Sequence, residues 1–299
     1  MSNCLKTFAD VPDREKILNT SAARRLLKAL PDKTRNSFVT AFLGLSLDWD
    51  KRDVISFLTT NSEIGRTGHL QQGSATPFEV AYTQTAHTEI DKYWIESNAG
   101  RQIYQRLKVI QRELPKYIDL AGPHNGNKVL IDNIGSGVGR DIIGTLEANP
   151  LLQSMVHTRF IDCDEKSLRI AKQIVQEKRM TESFSFHADK FRNIPPRGAD
   201  LLLLIGILCP LNKNLCKKIL KNMKSYVRSE GIIIYSTVTK DMLIDDPLTD
   251  FMMRIHGWEM DYKTPEECGE IATVSGWNVL DTFFDEPGKH HCITVAQTS

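Results

Sequence analysis

The sequence predicts an α/β protein whose doubly wound, mostly parallel sheet is preceded by an N-terminal helical region, and three observations carry that reading. Past residue 120, short apolar runs alternate with amphipathic stretches, the pattern of parallel strands joined by crossover helices. Before residue 120 the apolar residues recur at helical spacing. At the junction, the apolar run Lys128–Asn133 feeds directly into a loop with glycine at 135, 137 and 139. Glycine lacks a Cβ, so such a loop admits positive φ and lets a ligand approach backbone.

From Ser21 to Thr60 the positions Leu26, Leu27, Leu30, then Phe38, Ala41, Phe42, then Val54, Phe57, Leu58 predict three short helices, punctuated at Pro31-Asp32 and Asp48-Trp49-Asp50. Residues 61–78, rich in Gly, Ser, Thr, Gln and Asn and ending at Pro77, predict a loop or mobile linker. One long helix is expected from Thr88 to Leu120, capped by Thr88, with Tyr93, Trp94, Tyr104, Leu107, Ile110 and Tyr117 on its buried side. Arg101 and Arg106 on that helix could reach a cofactor carboxylate, but read first as its solvated face. Gly122–Asn127 breaks it.

Five strands follow: Lys128–Asn133, Thr158–Asp162, Ser183–His187, Ala199–Ile205 and Gly231–Ser236. Leu201–Ile205 is apolar on both faces, as a central parallel strand requires. A helix Pro265–Val274 and a last strand beginning at His291 close the chain.

Composition narrows the function. Thirty-eight Lys and Arg stand against 37 Asp and Glu, a formal charge of +1, so no basic surface for nucleic acid is expected. The six cysteines show no Cys-x-x-Cys pair or zinc spacing, and read as reduced thiols of a cytoplasmic protein. The longest apolar run, Leu201–Leu208, is too short to span a bilayer, so neither membrane nor export segment is expected.

In open α/β sheets ligands bind beyond the carboxyl ends of the strands, so the candidate site residues lie there. Asn133, Gly135, Ser136, Gly137 and Gly139 form the first loop. Asp162 closes the second strand, where a carboxylate can accept both ribose hydroxyls, with Cys163 beside it and Asp164 read as the next helix's N-cap. Asp189 follows the third strand, flanked by Ala188 and Lys190, where it can accept the adenine amine while its neighbours cover the ring. Gly206 follows the fourth strand.

This ordered set resembles the class I S-adenosylmethionine (SAM)-dependent methyltransferase family over residues 120–299. A dinucleotide fingerprint would place its third glycine at position 140, which is Arg140; Gly-x-Gly-x-Gly is the methyltransferase form. The resemblance implies a seven-stranded sheet with an antiparallel last strand and SAM as cofactor, with S-adenosylhomocysteine (SAH) as product. It also implies residues 120–299 as the SAM-binding domain and 1–119 as a helical lid or homodimerisation region. One departure stands out: the family's acidic residue two places before the first glycine is here Asn133, with Asp132 one position earlier. Either the methionine end of the cofactor is held without that charge, or another residue supplies it.

The expected acceptor is a small molecule methylated on oxygen, nitrogen or carbon; a protein or RNA acceptor and a non-catalytic SAM-binding regulator are the alternatives. The stretch after the fourth strand, Leu208-Cys209-Pro210, offers no histidine base. His87, Glu89 and His256 remain as candidates for a base. His256, Trp258, Glu259, Asp261 and Tyr262 read equally as acceptor pocket or as surface. Asp241, Asp245 and Asp246 read as a solvated acidic loop, and His290 and His291 lack further ligands, so no metal is proposed.

Overall fold

A computed structural model describes residues 51–70, 75–123, 128–255 and 257–298. Its centre is a seven-stranded sheet: β1 Val129–Ile134, β2 Val156–Asp162, β3 Phe184–Ala188, β4 Ala199–Leu204, β5 Val227–Val238, β6 Trp277–Phe284 and β7 His291–Thr298. The strand order is β3-β2-β1-β4-β5-β7-β6, and only β7 runs antiparallel to its neighbours.

Both faces are covered. Ile131, Leu201, Leu203, Ile232 and Ile234 join one apolar cluster with Ile110, Leu114 and Ile118 of the helix Asn98–Ala121. Leu202, Leu204, Ile233 and Tyr235 project into the other, with Leu220, Met223 and Trp277. The period-two alternation of β4 thus supplies both cores, and each fully buried leucine contributes about 2 kcal/mol.

The order reverses between β1 and β4, and the carboxyl ends of these strands therefore diverge into a crevice. The antiparallel β7 brings a second set of residues to the same edge: Val238, at the end of β5, pairs with His291, at the start of β7. The β6–β7 turn consequently lies at the carboxyl edge.

Two expectations about the N-terminal region need correction. Residues 61–78 are not a linker, because Glu63–Leu70 is a helix and a second one, Thr76–Thr83, starts within the segment. The polar residues act as caps. Ser62 accepts from the Gly65 amide (2.9 Å) and donates to Asp91 (2.6 Å), whose carboxylate also accepts from the Glu63 and Ile64 amides. The capping group comes from 28 residues away, which no local pattern reveals.

The expected Thr88–Leu120 helix is two, Glu89–Glu96 and Asn98–Ala121. Thr88 caps the first as expected. At the break Ser97 is extended (ψ 163°), and its hydroxyl accepts from Gly100 N. Trp94, Leu107, Ile110 and Tyr117 are buried as expected, whereas Tyr93 and Tyr104 are half-buried. Of the three helices expected between Ser21 and Thr60, Lys51–Asn61 is present and the others lie outside the described residues. The helix Pro265–Val274 has the expected bounds and carries a capping box between Thr264 and Glu267.

Asp245 and Asp246 do not form a solvated loop. Both are buried, and Asp246 accepts from the Ala99 and Thr249 amides (2.8 and 3.0 Å), tying the segment after β5 to the start of the long helix. Among the described residues no helix is long and apolar enough to cross a membrane.

Candidate functional site

The glycine loop joins β1 to the helix Arg140–Ala148 with Gly135, Gly137 and Gly139 at φ 63°, 51° and 67°. At Gly139 a Cβ would come within 2.3 Å of the Phe160 ring, and at Gly137 within 2.4 Å of the Ala75 side chain. The first close approach seats the loop on the sheet. The second seats the helix Thr76–Thr83 on the loop.

Asp162, at the end of β2, uses one carboxylate oxygen to accept from Gly137 N (2.7 Å) and the other to accept from Asp164 N (2.8 Å). It is thereby fixed against the glycine loop with its edge toward the crevice. Burial pushes its carboxyl above the usual range, opposed by those backbone donors. Asp164 caps the following helix, as its position predicted.

The structure separates Asn133 from its acidic neighbour Asp132. Asp132 and Asn133 alternate across the strand. Asp132 points away from the crevice, fully buried between the guanidinium groups of Arg159 and Arg197 (3.0 and 2.8 Å). Asn133 faces the crevice, 1% exposed, with its amide nitrogen 3.4 Å from Asp141. Asp141, in the first turn of the helix behind the glycine loop, is a buried carboxylate that also lines the crevice. Burial pushes its carboxyl up, and the nearby Arg106 opposes the shift. The acidic group absent from position 133 thus has a neighbour at position 141 on the same crevice wall. We expect Asp141→Asn to weaken SAH binding about tenfold, on the order of one charge-assisted hydrogen bond, in a calorimetric titration; unchanged affinity would remove Asp141 from the site.

Around this loop the structure opens a crevice of about 510 Å³. Asn133, Gly135, Ser136, Gly139, Asp162, Cys163, Asp189, Lys190 and Gly206 all line it. Gly137 contributes through its amide to Asp162, and Ala188 sits beside Asp162 at the exposed end of β3. Asp189 also caps a turn, accepting from Lys190 N and Asn193 Nδ2 (2.7 and 2.8 Å). His87 and Glu89 are exposed and do not line the crevice; His87 lies 3.5 Å from Glu63 instead. His256 lies outside the described residues.

Three features escape sequence reading. Arg106 is not on a solvated face: it is 7% exposed and lines the crevice, donating to the Tyr82 hydroxyl (2.7 Å), whereas Arg101 is exposed as expected. Glu79 holds Arg140 through one oxygen (2.7 and 3.0 Å), while its second oxygen is buried with no hydrogen-bond partner among the described residues. Phe78 stacks on Trp258 at 5.5 Å, joining the N-terminal helices to the segment after β5. Those partners are remote in sequence, so only the helical spacing of Glu79 and Tyr82 hinted at a shared face.

The residues fit an adenosyl cofactor: a glycine loop with no Cβ in the way, a carboxylate at the end of β2, and an orphaned acidic oxygen on Glu79 together with Asp141 for a positively charged end. A sequence profile described as "Methyltransferase domain" matches residues 124–287, more than half of the chain. The chain belongs to this methyltransferase-domain family and is a SAM-dependent methyltransferase.

Solved structures with the same fold include a protein described as a "possible exported protein" from Bordetella parapertussis (15% identity, 98% of this chain and 96% of that one, TM-score 0.65). Magnesium protoporphyrin IX methyltransferase from Synechocystis PCC 6803 with bound SAH shares 15% identity over 83% of this chain and 99% of its own, with a TM-score of 0.56. The methyltransferase SibL in its apo form shares 14% over 90% and 86%, with a TM-score of 0.51. At such identities these likenesses concern the fold. No curated protein matches in sequence.

Proposed function

We propose that this enzyme methylates a small, largely apolar molecule held between the sheet edge and the N-terminal helices. The observation that carries this reading is the wall of the crevice beyond the glycine loop: Phe78, Ile103, Val238, Met242, Met253 and Met260, an apolar surface roofed by the N-terminal helices. Such a chamber suits a molecule that can be enclosed. A polymer would need an open track, and a nucleic acid a basic one, against a formal charge of +1.

Bound SAM supplies a methyl carbon activated by its positive sulfur, so transfer is an in-line displacement needing no covalent enzyme intermediate. The chain's task is to hold, orient and exclude water. In this reading Asp162 accepts from the ribose hydroxyls, Asp189 from the adenine amine with Ala188 and Lys190 beside the ring. Asn133, Asp141 and Glu79 face the amino group, and Gly206 leaves room at the end of β4. Residues 120–299 form the SAM-binding domain and the helical region before it the lid, latched by Glu79–Arg140 and Phe78–Trp258.

Incubation with methyl-labelled SAM and separated small-molecule, protein and RNA fractions of a host extract tests the reading. Label is expected in the small-molecule fraction. Label confined to protein or RNA would overturn it, and SAM binding with no label anywhere would leave a binding protein without transfer activity.

A further inference from the structure

The β6–β7 turn places at the acceptor end of the crevice a pair of residues that cofactor binding does not use. His291, the first residue of β7, is 4% exposed and lines the crevice. Its Nδ1 donates to the Asp285 carboxylate at 2.7 Å, and the other Asp285 oxygen accepts from the His291 amide at 2.7 Å. Asp285 is fully buried, so the ring is held from behind in one orientation and one tautomer. In that tautomer Nε2 carries the lone pair, and among the described residues nothing hydrogen-bonds it.

The turn that carries the pair is itself fixed. His290 Nε2 meets Asp245 at 3.1 Å, the Thr239 amide donates to the His290 carbonyl at 2.7 Å, and Gly288 lies directly against the Gln102 side chain of the long helix. On the facing wall Arg106 is a buried cation whose one hydrogen-bonding partner among the described residues is the Tyr82 hydroxyl. Its guanidinium lies 3.8 Å from where a Cβ of Gly206 would stand, beside the end of β4.

We propose that His291 is the general base of the transfer, positioned by Asp285, and that the acceptor is a phenolic hydroxyl on an apolar aromatic molecule. The inference rests on the small-molecule reading above. Three points select the phenol. An oxygen bound to hydrogen must lose its proton to become a strong nucleophile, which gives a base something to do. Phenols ionise near pH 10, within reach of an imidazole, as aliphatic alcohols are not. The methionines of the wall suit the face and edge of an aromatic ring.

The step balances without further reagents. The acceptor O–H bond breaks and its proton passes to His291 Nε2. The oxygen pair forms the new O–CH3 bond as the carbon–sulfur bond breaks, its electrons returning to sulfur to leave neutral SAH. The imidazolium then loses its proton to water. Asp285 stabilises that imidazolium, and Arg106 the developing phenolate.

Burial lowers the His291 pKa below its usual value, Asp285 opposing and Arg106 and His290 reinforcing the shift. Of the other titratable groups around Arg106, Cys209 and Tyr82 have their pKa values pushed up by burial and stay neutral, and the Asp141 carboxyl is likewise pushed up by burial. The free base is therefore present at neutral pH, and the rate falls as pH drops through an imidazole pKa under 6.5.

The test combines linkage, kinetics and pH. In the wild type, label from methyl-labelled SAM is expected in a small molecule as an ether that survives alkaline treatment. His291→Asn keeps a donor toward Asp285 but has no Nε2; it is expected to lower kcat roughly 10²–10⁴-fold with SAH affinity unchanged within about twofold. Asp285→Asn, which misorients the ring, is expected to lower kcat and flatten or displace the acidic limb while leaving KM for SAM in place. An alkali-labile ester, an N-methyl or C-methyl product, or full turnover in His291→Asn overturns the assignment yet leaves small-molecule methylation standing. Label absent from the small-molecule fraction overturns both. Should the variants fail to fold, a wild-type rate that shows no acidic limb at any pH where the enzyme stays folded overturns it equally.

Discussion

Asp132→Ala is expected to cost the fold about 3–5 kcal/mol, read as a shift in the urea unfolding midpoint. Asp132 is the fully buried partner of two arginines: Arg159 donates to it at 3.0 Å and Arg197 at 2.8 Å. Arg159 is itself buried and Arg197 largely so. Removing the carboxylate strands two guanidinium groups between β1, β2 and the segment before β4, where among the described residues they keep their bonds to the Pro195, Ile131 and His157 carbonyls. The cost comes from uncompensated charge rather than from a lost attraction. Replacing all three residues by apolar ones of similar volume should therefore recover much of the stability. A loss below about 1 kcal/mol for Asp132→Ala would show that water reaches the arginines.

The second large effect is on the cofactor. Asp162→Ala is expected to weaken SAH binding about a hundredfold, near 2.7 kcal/mol, in a calorimetric titration. The side chain does two things at once. In the proposed reading it offers acceptors to the ribose, and it ties Gly137 N and Asp164 N, so its removal also loosens the glycine loop at the end of β1. Asp162→Asn retains one acceptor for the loop but loses the charge, and should fall between the wild type and alanine. Undiminished affinity in both would move the ribose elsewhere in the crevice.

These two aspartates show what a reader of the sequence can see. Asp162 was legible because it ends an apolar run that follows a glycine-loop strand, a position defined by local pattern alone. Asp132 was not, because its role depends on which face of β1 it occupies and on arginines 27 and 65 residues away. The same reasoning separates Thr88, a cap visible from its own helix start, from Ser62, a cap whose partner Asp91 lies on another helix.

The alternating apolar runs and the ordered motifs at the strand ends were enough to determine the sheet and its class, and Asp162, Asp189 and Asn133 come to line one crevice with the glycine loop. Those features are local: a strand's period, a turn's need for positive φ and the side chain at a strand's end are all set by neighbours in the chain. Only the tertiary structure decided the rest of the crevice wall. It buried Arg106, set Asp141 beside Asn133, laid Glu79 and Phe78 over the loop, and set His291 against Asp285 through an antiparallel turn. Each of these depends on a contact between segments whose separation in sequence carries no periodic signal, so packing alone brings them together.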